Sequence, residues 1–491
     1  MSTNLKEKTY RAAFWSAVDT FGTRLIQFVI GVVLARMLEP EQFGVVGMLA
    51  IFMVICQVLL DSGFGSALVQ KKEVTDLDIS SVFYFNVTMG IVLAGLLYLA
   101  APWIAAYYEQ PIVTPLTRVM SIMVVLNSVA AIQLILLTRK IDFKTHAKVG
   151  AIVGVASGAV GIFMAYRGFG VWSLVAQQVS GSAFRVVLLW FFCPWRPILR
   201  FSLRPLRQMF AFGSRVLASS VLARVFDYIY LPVIGKFYSL AIVGFYDRAR
   251  RLEEMPSAVL TRLVTRVSFP VFSSIQDDNE RLKRGMHKAL GAVMFMNAPV
   301  MVGLAASAES LVGVLLTDKW LPCVPYLRLL CVLGLFRPLH ALNLNTLNAK
   351  GRSDLFLRLE LIKKALVILN ITITWRWGVS AMILGQIALT IPIYYLNNYY
   401  VSKLIGYTVR EQLQNVAKYL LSAGLMGAVV YSLAYVPFGN RLLLLVAQVV
   451  CGVAVYSLLS LLLRLPAFFE AWRVVGKRIP FHRPAPASGT G

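Results

Sequence analysis

Residues 79–108 read ISSVFYFNVTMGIVLAGLLYLAAPWIAAYY, a stretch without Asp, Glu, Lys or Arg. About 20 consecutive apolar residues are enough to cross the hydrocarbon core of a bilayer. In lipid the backbone must be hydrogen-bonded internally, and this run is far too long for a barrel strand, so it is predicted to be a transmembrane helix. The remainder has the same character: of 491 residues 58% are hydrophobic and 14% charged, which excludes an ordinary soluble protein.

Similar windows recur along the whole chain and define the fold class. The nine windows without charge are 42–60, 79–108, 119–138, 149–166, 168–184, 289–308, 377–402, 419–440 and 442–463. Five further stretches are apolar but carry charge: 13–36, 209–235, 240–273, 324–348 and 355–375. The sequence therefore predicts an all-α polytopic membrane protein with about 14 transmembrane helices.

The distribution of Lys and Arg predicts the orientation. With the N-terminus in the cytoplasm, the cytoplasmic segments hold 28 of these residues and the opposite side holds seven. This bias fits the positive-inside rule with both termini cytoplasmic. The net charge of +25 is thus mostly a topology signal, and nucleic acid is not expected as a partner.

An internal repeat is visible when the chain is shifted by about 200 residues. At that offset Arg24 falls on Arg224, Arg36 on Lys236 and Gly44 on Gly244. Half-length repeats are common in transporters, where the substrate site lies between the halves. We expect two six-helix bundles related by this repeat, with two additional helices. The predicted division is a cytoplasmic N-terminus (1–12), an N-terminal bundle (13–193), a basic cytoplasmic linker (194–208), a C-terminal bundle (209–402), two additional helices (403–465) and a basic cytoplasmic tail (466–491), whose last residues, 480–491, read as disordered.

Arginines inside the charged spans are the candidate binding residues. A charge at the bilayer centre costs at least about 2.5 to 3.5 kcal/mol, so such a residue should face a wet cavity or a partner. Arg24, Arg224 and Arg262 have more cations than anions around them in sequence, which indicates an anionic ligand. Arginine binds phosphate and pyrophosphate through paired charge-assisted hydrogen bonds. Arg251 and Arg266, on the same span as Arg262, complete the candidate pyrophosphate-binding set.

The same charges have a structural alternative, a network of ion pairs that ties helices together. Arg224 and Asp227 are at helical spacing and can pair, as can Asp247 and Arg251. Three acidic residues are candidates for carrying a coupling proton or sodium ion: Asp61, Asp227 and Glu254. For Asp61, capping of a helix break at residues 61–65 is an equally weighted alternative.

Enzymatic motifs are missing from the sequence. There is no G-x-x-x-x-G-K-[ST] loop, no H-E-x-x-H and no G-x-S-x-G. The five cysteines are scattered and are not at metal-ligand spacing. We expect no metal, no cofactor and no catalytic residues; energy would come from an ion gradient or from the substrate's own concentration difference.

Several segments resemble a known family. They are Phe269 to Gly285 (FPVFSSIQDDNERLKRG), Asp61 to Gln70 (DSGFGSALVQ), Leu231 to Leu252 (LPVIGKFYSLAIVGFYDRARRL), Asp318-Lys319-Trp320 and residues 348–352 (NAKGR). In this order they are similar to the polysaccharide exporters of the multidrug/oligosaccharidyl-lipid/polysaccharide superfamily, and most of all to Wzx-type flippases of the colanic-acid exporter kind.

The resemblance implies a bacterial inner-membrane protein of exopolysaccharide or lipopolysaccharide biosynthesis. Its substrate would be an undecaprenyl-pyrophosphate-linked oligosaccharide, which it moves to the periplasmic leaflet by alternating access. Its other partners would be membrane lipid and a polysaccharide polymerase with its chain-length machinery. The alternative within the superfamily is a multidrug or organic-ion antiporter, whose cavity should be acidic and aromatic. A polymerase or glycosyltransferase is a third hypothesis.

Overall fold

The computed structural model describes residues 2–61, 64–71 and 73–476. Two sequence predictions lie outside this part of the chain: the helix break after Asp61, which involves residues 62 and 63, and the disordered end at 480–491. For some residues within helices only the backbone is described, among them Arg262 and Arg266.

The described residues form helices joined by short turns, and they contain no strand. The predicted all-α fold is therefore confirmed. The helices are α1 (Ser2–Met37), α2 (Pro40–Asp61), α3 (Phe64–Gln70), α4 (Asp76–Tyr108), α5 (Val113–Arg139), α6 (Phe143–Tyr166), α7 (Val171–Phe192), α8 (Leu203–Tyr228), α9 (Tyr230–Phe237), α10 (Leu240–Ser274), α11 (Asn279–Ala306), α12 (Ala308–Leu316), α13 (Val324–Ala349), α14 (Ser353–Thr374), α15 (Val379–Ile405), α16 (Val409–Ser432), α17 (Arg441–Leu462) and α18 (Pro466–Gly476). Short 3₁₀ turns, Asp318–Cys323 and Leu433–Tyr435, precede α13 and follow α16.

Ten of these segments, searched over the described residues, are long and apolar enough to cross a membrane: those containing α2, α4, α5, α6, α7, α11, α13, α15, α16 and α17. The four predicted spans that do not meet this criterion correspond to α1, α8, α10 and α14. All four belong to the stretches that the sequence marks as apolar but charged. The chain is a multi-pass membrane protein, and the count of fourteen spans stays a prediction.

Repeat-related helices begin and end at equivalent positions. α1 ends at Met37 and α9 at Phe237, and the next helices begin at Pro40 and Leu240, so the offset is 200 residues at both points. Further along, α6 begins at Phe143 and α14 at Ser353, 210 residues apart. The seventh predicted span, which corresponds to α1 in the repeat, is divided into two helices. α8 ends at Tyr228 and α9 begins at Tyr230. These positions support the predicted repeat, with about ten residues inserted in its second copy.

Two compact units divide the chain, Met1–Asp247 and Arg248–Gly491. The boundary lies inside α10. The predicted limits instead fall between predicted spans, with one bundle at 13–193 and the next at 209–402. These domain limits stay a prediction. In the second unit, the two helices predicted as an addition, α16 and α17, supply core residues such as Tyr419, Met426 and Tyr456. They pack with α11 rather than standing apart.

In the first unit, α2 and the start of α10 approach each other through two glycines. A Cβ atom on Gly44 would overlap the carbonyl oxygen of Leu240, and one on Gly244 would overlap the carbonyl oxygen of Pro40. Gly44 and Gly244 are 200 positions apart, and so are Pro40 and Leu240. Each glycine therefore meets the first residue of the other helix, and we call this a reciprocal contact. Only glycine allows backbones this close together.

The predicted linker at 194–208 is held against the first unit. Backbone N–H groups of Ile198 and Ser202 donate to the hydroxyls of Ser80 and Ser81, at 3.1 and 3.0 Å. The Arg196 guanidinium donates to the carbonyls of Trp190 and Cys193, which lie near the end of α7, at 2.6 and 2.7 Å. This segment is thus fixed by hydrogen bonds to α4 and by capping of α7.

Candidate functional site

In the first unit, Asp61 ends a chain of polar side chains at the C-terminus of α2. The Gln57 Nε2 donates to Oδ1 of Asp61 at 3.3 Å. Asn127 on α5 donates through Nδ2 to Oε1 of Gln57 at 3.2 Å. Asp61 itself is exposed. An acidic residue at a helix C-terminus faces the negative end of the helix dipole, so the carboxylate needs this amide and a nearby cation.

Arg224 on α8 supplies a cation to this group. Its guanidinium lies 3.8 Å from the Asp227 carboxylate, and both side chains are at least half exposed, 57% and 50%. The charge of Arg224 also acts on Asp61. The structure therefore brings together three predicted site residues, Asp61, Arg224 and Asp227. The predicted Arg224–Asp227 pair is present, and because it is long and exposed it contributes little and leaves Arg224 accessible.

Arg24 lies on α1, which packs on α6 through Ile26 and Ile30 against Gly154 and Gly158. Ile26 comes two positions after Arg24, which is about 200° around a helix, so Arg24 is on the face of α1 turned away from α6. Its side chain is half-buried. Close packing of isoleucine on glycine fixes the rotation of α1 and with it the direction of Arg24.

In the second unit, charge is concentrated in nearly two turns of α10, residues 248–254 (RARRLEE). Arg250 donates through Nε to Oε1 of Glu254 at 2.6 Å. Arg248 is buried and stacks over the ring of Trp320 at 5.5 Å, while Arg251 is exposed. Arginine stacked on tryptophan is stabilised by cation–π attraction, so Arg248 has a structural role.

Arg337 on α13 adds a further arginine to this turn. Its Nη2 lies 3.0 Å from Oε2 of Glu253, and its Nη1 lies 3.8 Å from Oε1 of Glu254. Glu253 is fully buried, whereas Arg337 is 37% exposed. Residues 248–254 and Arg337 thus contain four arginines and two glutamates, and the four side chains that pair directly, two arginines and two glutamates, balance in charge. We call Arg250, Glu253, Glu254 and Arg337 the charged cluster of the second unit.

The other predicted ligands on α10 are Arg262 and Arg266. They follow the charged cluster along the same helix, but their side chains lie outside the described part of the chain. Of the predicted coupling residues, Glu254 is already paired with Arg250 and Arg337.

Sequence reasoning missed Glu253, and it did not connect Arg337 with it. Proline in a helix leaves the carbonyl four residues earlier without its usual donor. Pro338 therefore frees the carbonyl of Gly334, and Asn297 on α11 donates to that oxygen at 3.0 Å. The combination of proline, glycine and asparagine on neighbouring spans was the available signal for a polar niche.

Comparisons with known proteins show the family of the chain. A family model described as "Polysaccharide biosynthesis protein" matches residues 33–325. The lipopolysaccharide biosynthesis protein WzxC of Escherichia coli (strain K12) is 28% identical over 379 residues, 75% of this chain and 76% of that protein. The succinoglycan biosynthesis transport protein ExoT of Rhizobium meliloti (strain 1021) is 29% identical over 334 residues, 68% of this chain and 67% of that protein.

A likeness to a solved structure concerns the fold. The lipid II flippase MurJ in an inward closed conformation superposes with a TM-score of 0.76 and 15% sequence identity. The match covers 91% of this chain and 98% of that one. At this identity the likeness shows a shared arrangement of helices and leaves the substrate open.

Proposed function

We propose, from the premise that this chain belongs to the polysaccharide biosynthesis protein family, that it is a flippase for undecaprenyl-pyrophosphate-linked oligosaccharides. It moves these units across a bacterial inner membrane for exopolysaccharide or lipopolysaccharide assembly. The names of two relatives, one a lipopolysaccharide biosynthesis protein and one a succinoglycan biosynthesis transport protein, support this class of substrate.

The observation that carries the proposal is the excess of arginine over carboxylate within apolar helices. Residues 248–254 of α10 carry three arginines and two glutamates, and Arg337 on α13 adds a fourth arginine. A positively charged surface at membrane depth attracts a diphosphate and repels organic cations. The prenyl chain can meanwhile stay in lipid, since its transfer out of lipid would cost about 0.8 kcal/mol per CH₂ group.

We assign the pyrophosphate contacts separately in each unit. In the first they are Arg24 and Arg224, and in the second they are Arg251, Arg262 and Arg266. Each guanidinium can form two parallel hydrogen bonds with phosphate oxygens. These residues act by binding, and the protein is a transporter rather than an enzyme.

We place both termini in the cytoplasm, on the ground of the 28-to-seven distribution of Lys and Arg. The oligosaccharide is then delivered to the periplasmic leaflet. A polymerase and its chain-length machinery are the partners that consume it there.

Replacement of the arginines tests the proposal. Arg24→Ala, Arg224→Ala and Arg262→Ala should each reduce movement of a fluorescent undecaprenyl-pyrophosphate-oligosaccharide in reconstituted vesicles by roughly tenfold or more, the size of one lost charge-assisted contact. Arg328→Ala is the matched control, since Arg328 lies near Glu309, at 3.7 Å, and should transport normally. Normal transport by all three variants would contradict the proposal. Uptake of an ethidium-like cation instead would favour an antiporter.

Replacing each acidic side chain by the corresponding amide tests the proposed coupling role of Asp61, Asp227 and Glu254. Asp61→Asn should lower the sensitivity of transport to an uncoupler, because an amide cannot exchange a proton. Transport rates of the variant are measured with and without a proton gradient. Unchanged uncoupler sensitivity in Asp61→Asn, Asp227→Asn and Glu254→Gln would remove all three residues as coupling groups.

A further inference from the structure

Glu253 is a fully buried carboxylate in the charged cluster of the second unit, and the proposed function does not use it. Its niche lies between α10, α11 and α13. Gly334 makes room for it, because a Cβ atom there would lie 2.5 Å from Oε1 of Glu253. The α11 side of the niche is lined by Asn297, whose Oδ1 has no hydrogen-bond partner among the described residues, and by Met301.

Among the described residues, few charged and titratable groups face Glu253. Arg337 lies at 3.0 Å from it, and Arg250 and Glu254 on its own helix act on it more weakly. Cys331 on α13 is the other titratable group in the neighbourhood. Asn297 and Met301, the α11 residues of the niche, have side chains that do not titrate. The charge of Glu253 is therefore neutralised mainly by Arg337.

Glu253 and Glu254 differ in what happens when Arg337 leaves. Glu254 keeps Arg250 at 2.6 Å and is partly exposed, so it can stay ionised. Glu253 has no access to solvent in this conformation, and an uncompensated buried carboxylate is strongly destabilising. It can lose Arg337 only by taking up a proton. Proton uptake at Glu253 and release of Arg337 are therefore coupled.

We propose that Glu253 is a proton-binding switch that controls whether Arg337 is available to an anion. A proton from water binds an oxygen of the Glu253 carboxylate, an O–H bond forms and the ion pair with Arg337 breaks. Arg337 keeps its charge and turns its guanidinium, already 37% exposed, to a phosphate of the substrate. When the phosphate leaves, Glu253 returns the proton to water and pairs with Arg337 again. This inference rests on the proposed function in so far as the anion is the pyrophosphate of a lipid-linked substrate.

The test is binding of inorganic pyrophosphate to the purified full-length protein by calorimetry, between about pH 5 and pH 8. Glu253→Gln imitates the protonated residue, so Arg337 is released from its nearest carboxylate at every pH and keeps only the longer contact with Glu254, at 3.8 Å. Its affinity should equal that of the wild type in acid and exceed it by roughly tenfold at high pH, the size of one charge-assisted contact. Glu360→Gln is the matched control, because Glu360 on α14 is paired with Lys363 and Lys364. It should bind like the wild type throughout.

Proton uptake gives a second readout that requires no folding of a variant. Binding enthalpies of the wild type in buffers of different ionisation enthalpy should show that pyrophosphate binding takes up a proton beyond those exchanged by pyrophosphate itself. The proposal is overturned if this extra proton is absent. It is also overturned if the affinity ratio of wild type to Glu253→Gln is the same at all pH values. A third contradicting result is that Glu254→Gln removes the pH dependence of pyrophosphate affinity while Glu253→Gln leaves it in place.

Failure of the two proposals can be distinguished. Transport of the lipid-linked oligosaccharide with a pH-independent affinity ratio would overturn the role of Glu253 alone. Proton-linked pyrophosphate binding without transport of that substrate would uphold the switch and contradict the flippase proposal.

Discussion

At the scale of single residues, two ion pairs of this chain show how the role of a charge depends on its surroundings. Lys236 contacts the exposed Glu109 at 2.9 Å and also donates to the carbonyl of Tyr107. The buried Glu253 depends on Arg337 in the same way. The first pair lies beyond the end of α4 and the second lies deep within a helix cluster, so only the second is expected to couple protonation to movement of a partner.

The Glu109–Lys236 pair predicts a pH-dependent stability. The Lys236 ammonium holds the pKa of the Glu109 carboxyl below its ordinary value, about 4.3 in unfolded chains. A lowered folded-state pKa stabilises the protein above the unfolded value, and this contribution disappears as the pH falls through the folded value. Glu109→Gln should therefore lower the melting temperature at pH 7 and leave it unchanged in acid.

Thermal unfolding followed with a thiol-reactive dye measures this effect, because Cys56, Cys193, Cys323 and Cys331 are buried until the protein unfolds. Glu73→Gln, at an exposed loop position before α4, is the control. An equal difference between wild type and Glu109→Gln at both pH values would contradict the assigned pair.

At the scale of helices, packing is decided where a small residue allows two helices to meet. The reciprocal contact of Gly44 with Leu240 and of Gly244 with Pro40 joins repeat-related helix starts within the first unit. α6 accepts Ile26 and Ile30 of α1 at Gly154 and Gly158 in a similar manner. Small residues at such crossings are typical of membrane helices, since no hydrophobic effect drives them together in lipid.

Alanine at either of the reciprocal glycines should destabilise the protein. Gly44→Ala and Gly244→Ala each place a Cβ atom against a backbone carbonyl, and overpacking of this kind costs about 1 to 3 kcal/mol. Gly95→Ala on α4 is the control, because no neighbouring atom of the described residues lies within 4 Å of the position that its new methyl group would take. Alanine also favours a helix.

The dye assay again gives the melting temperatures. The double variant should cost less than the sum of the single variants, since both act on one contact. Equal stability of Gly44→Ala and Gly95→Ala would show that the close approach does not limit packing.

At the scale of the whole molecule, the chain combines a repeat with an asymmetric distribution of charge. Helix limits at offsets of 200 to 210 residues describe the repeat. The Lys and Arg bias supports the proposed orientation. These two properties are independent, so the orientation needs its own test.

Single cysteines in a cysteine-free background test the orientation. Leu199 is 96% exposed on the predicted cytoplasmic side, and Trp377 is 71% exposed on the opposite side. A membrane-impermeant maleimide added to intact spheroplasts should label Trp377→Cys and leave Leu199→Cys unlabelled until the membrane is opened. The reverse pattern would invert the proposed topology.

Most of the helices could be predicted from the sequence, because hydropathy is a local property of about 20 consecutive residues. The resemblance to polysaccharide exporters is confirmed by the family match over residues 33–325. The division of the seventh predicted span into α8 and α9, and the position of the 3₁₀ turn at Asp318–Cys323, were not predicted. Such interruptions depend on the contacts that the helix makes.

By itself the sequence determined the all-α membrane fold, the family and the three helices α1, α8 and α10 that carry the candidate arginines. Only the tertiary structure decided which charges meet. It placed Asp61 near Arg224, and it paired Glu253 with Arg337, 84 positions away in the chain. An ion pair depends on distance in space, and residues on different helices acquire that distance only when the helices pack.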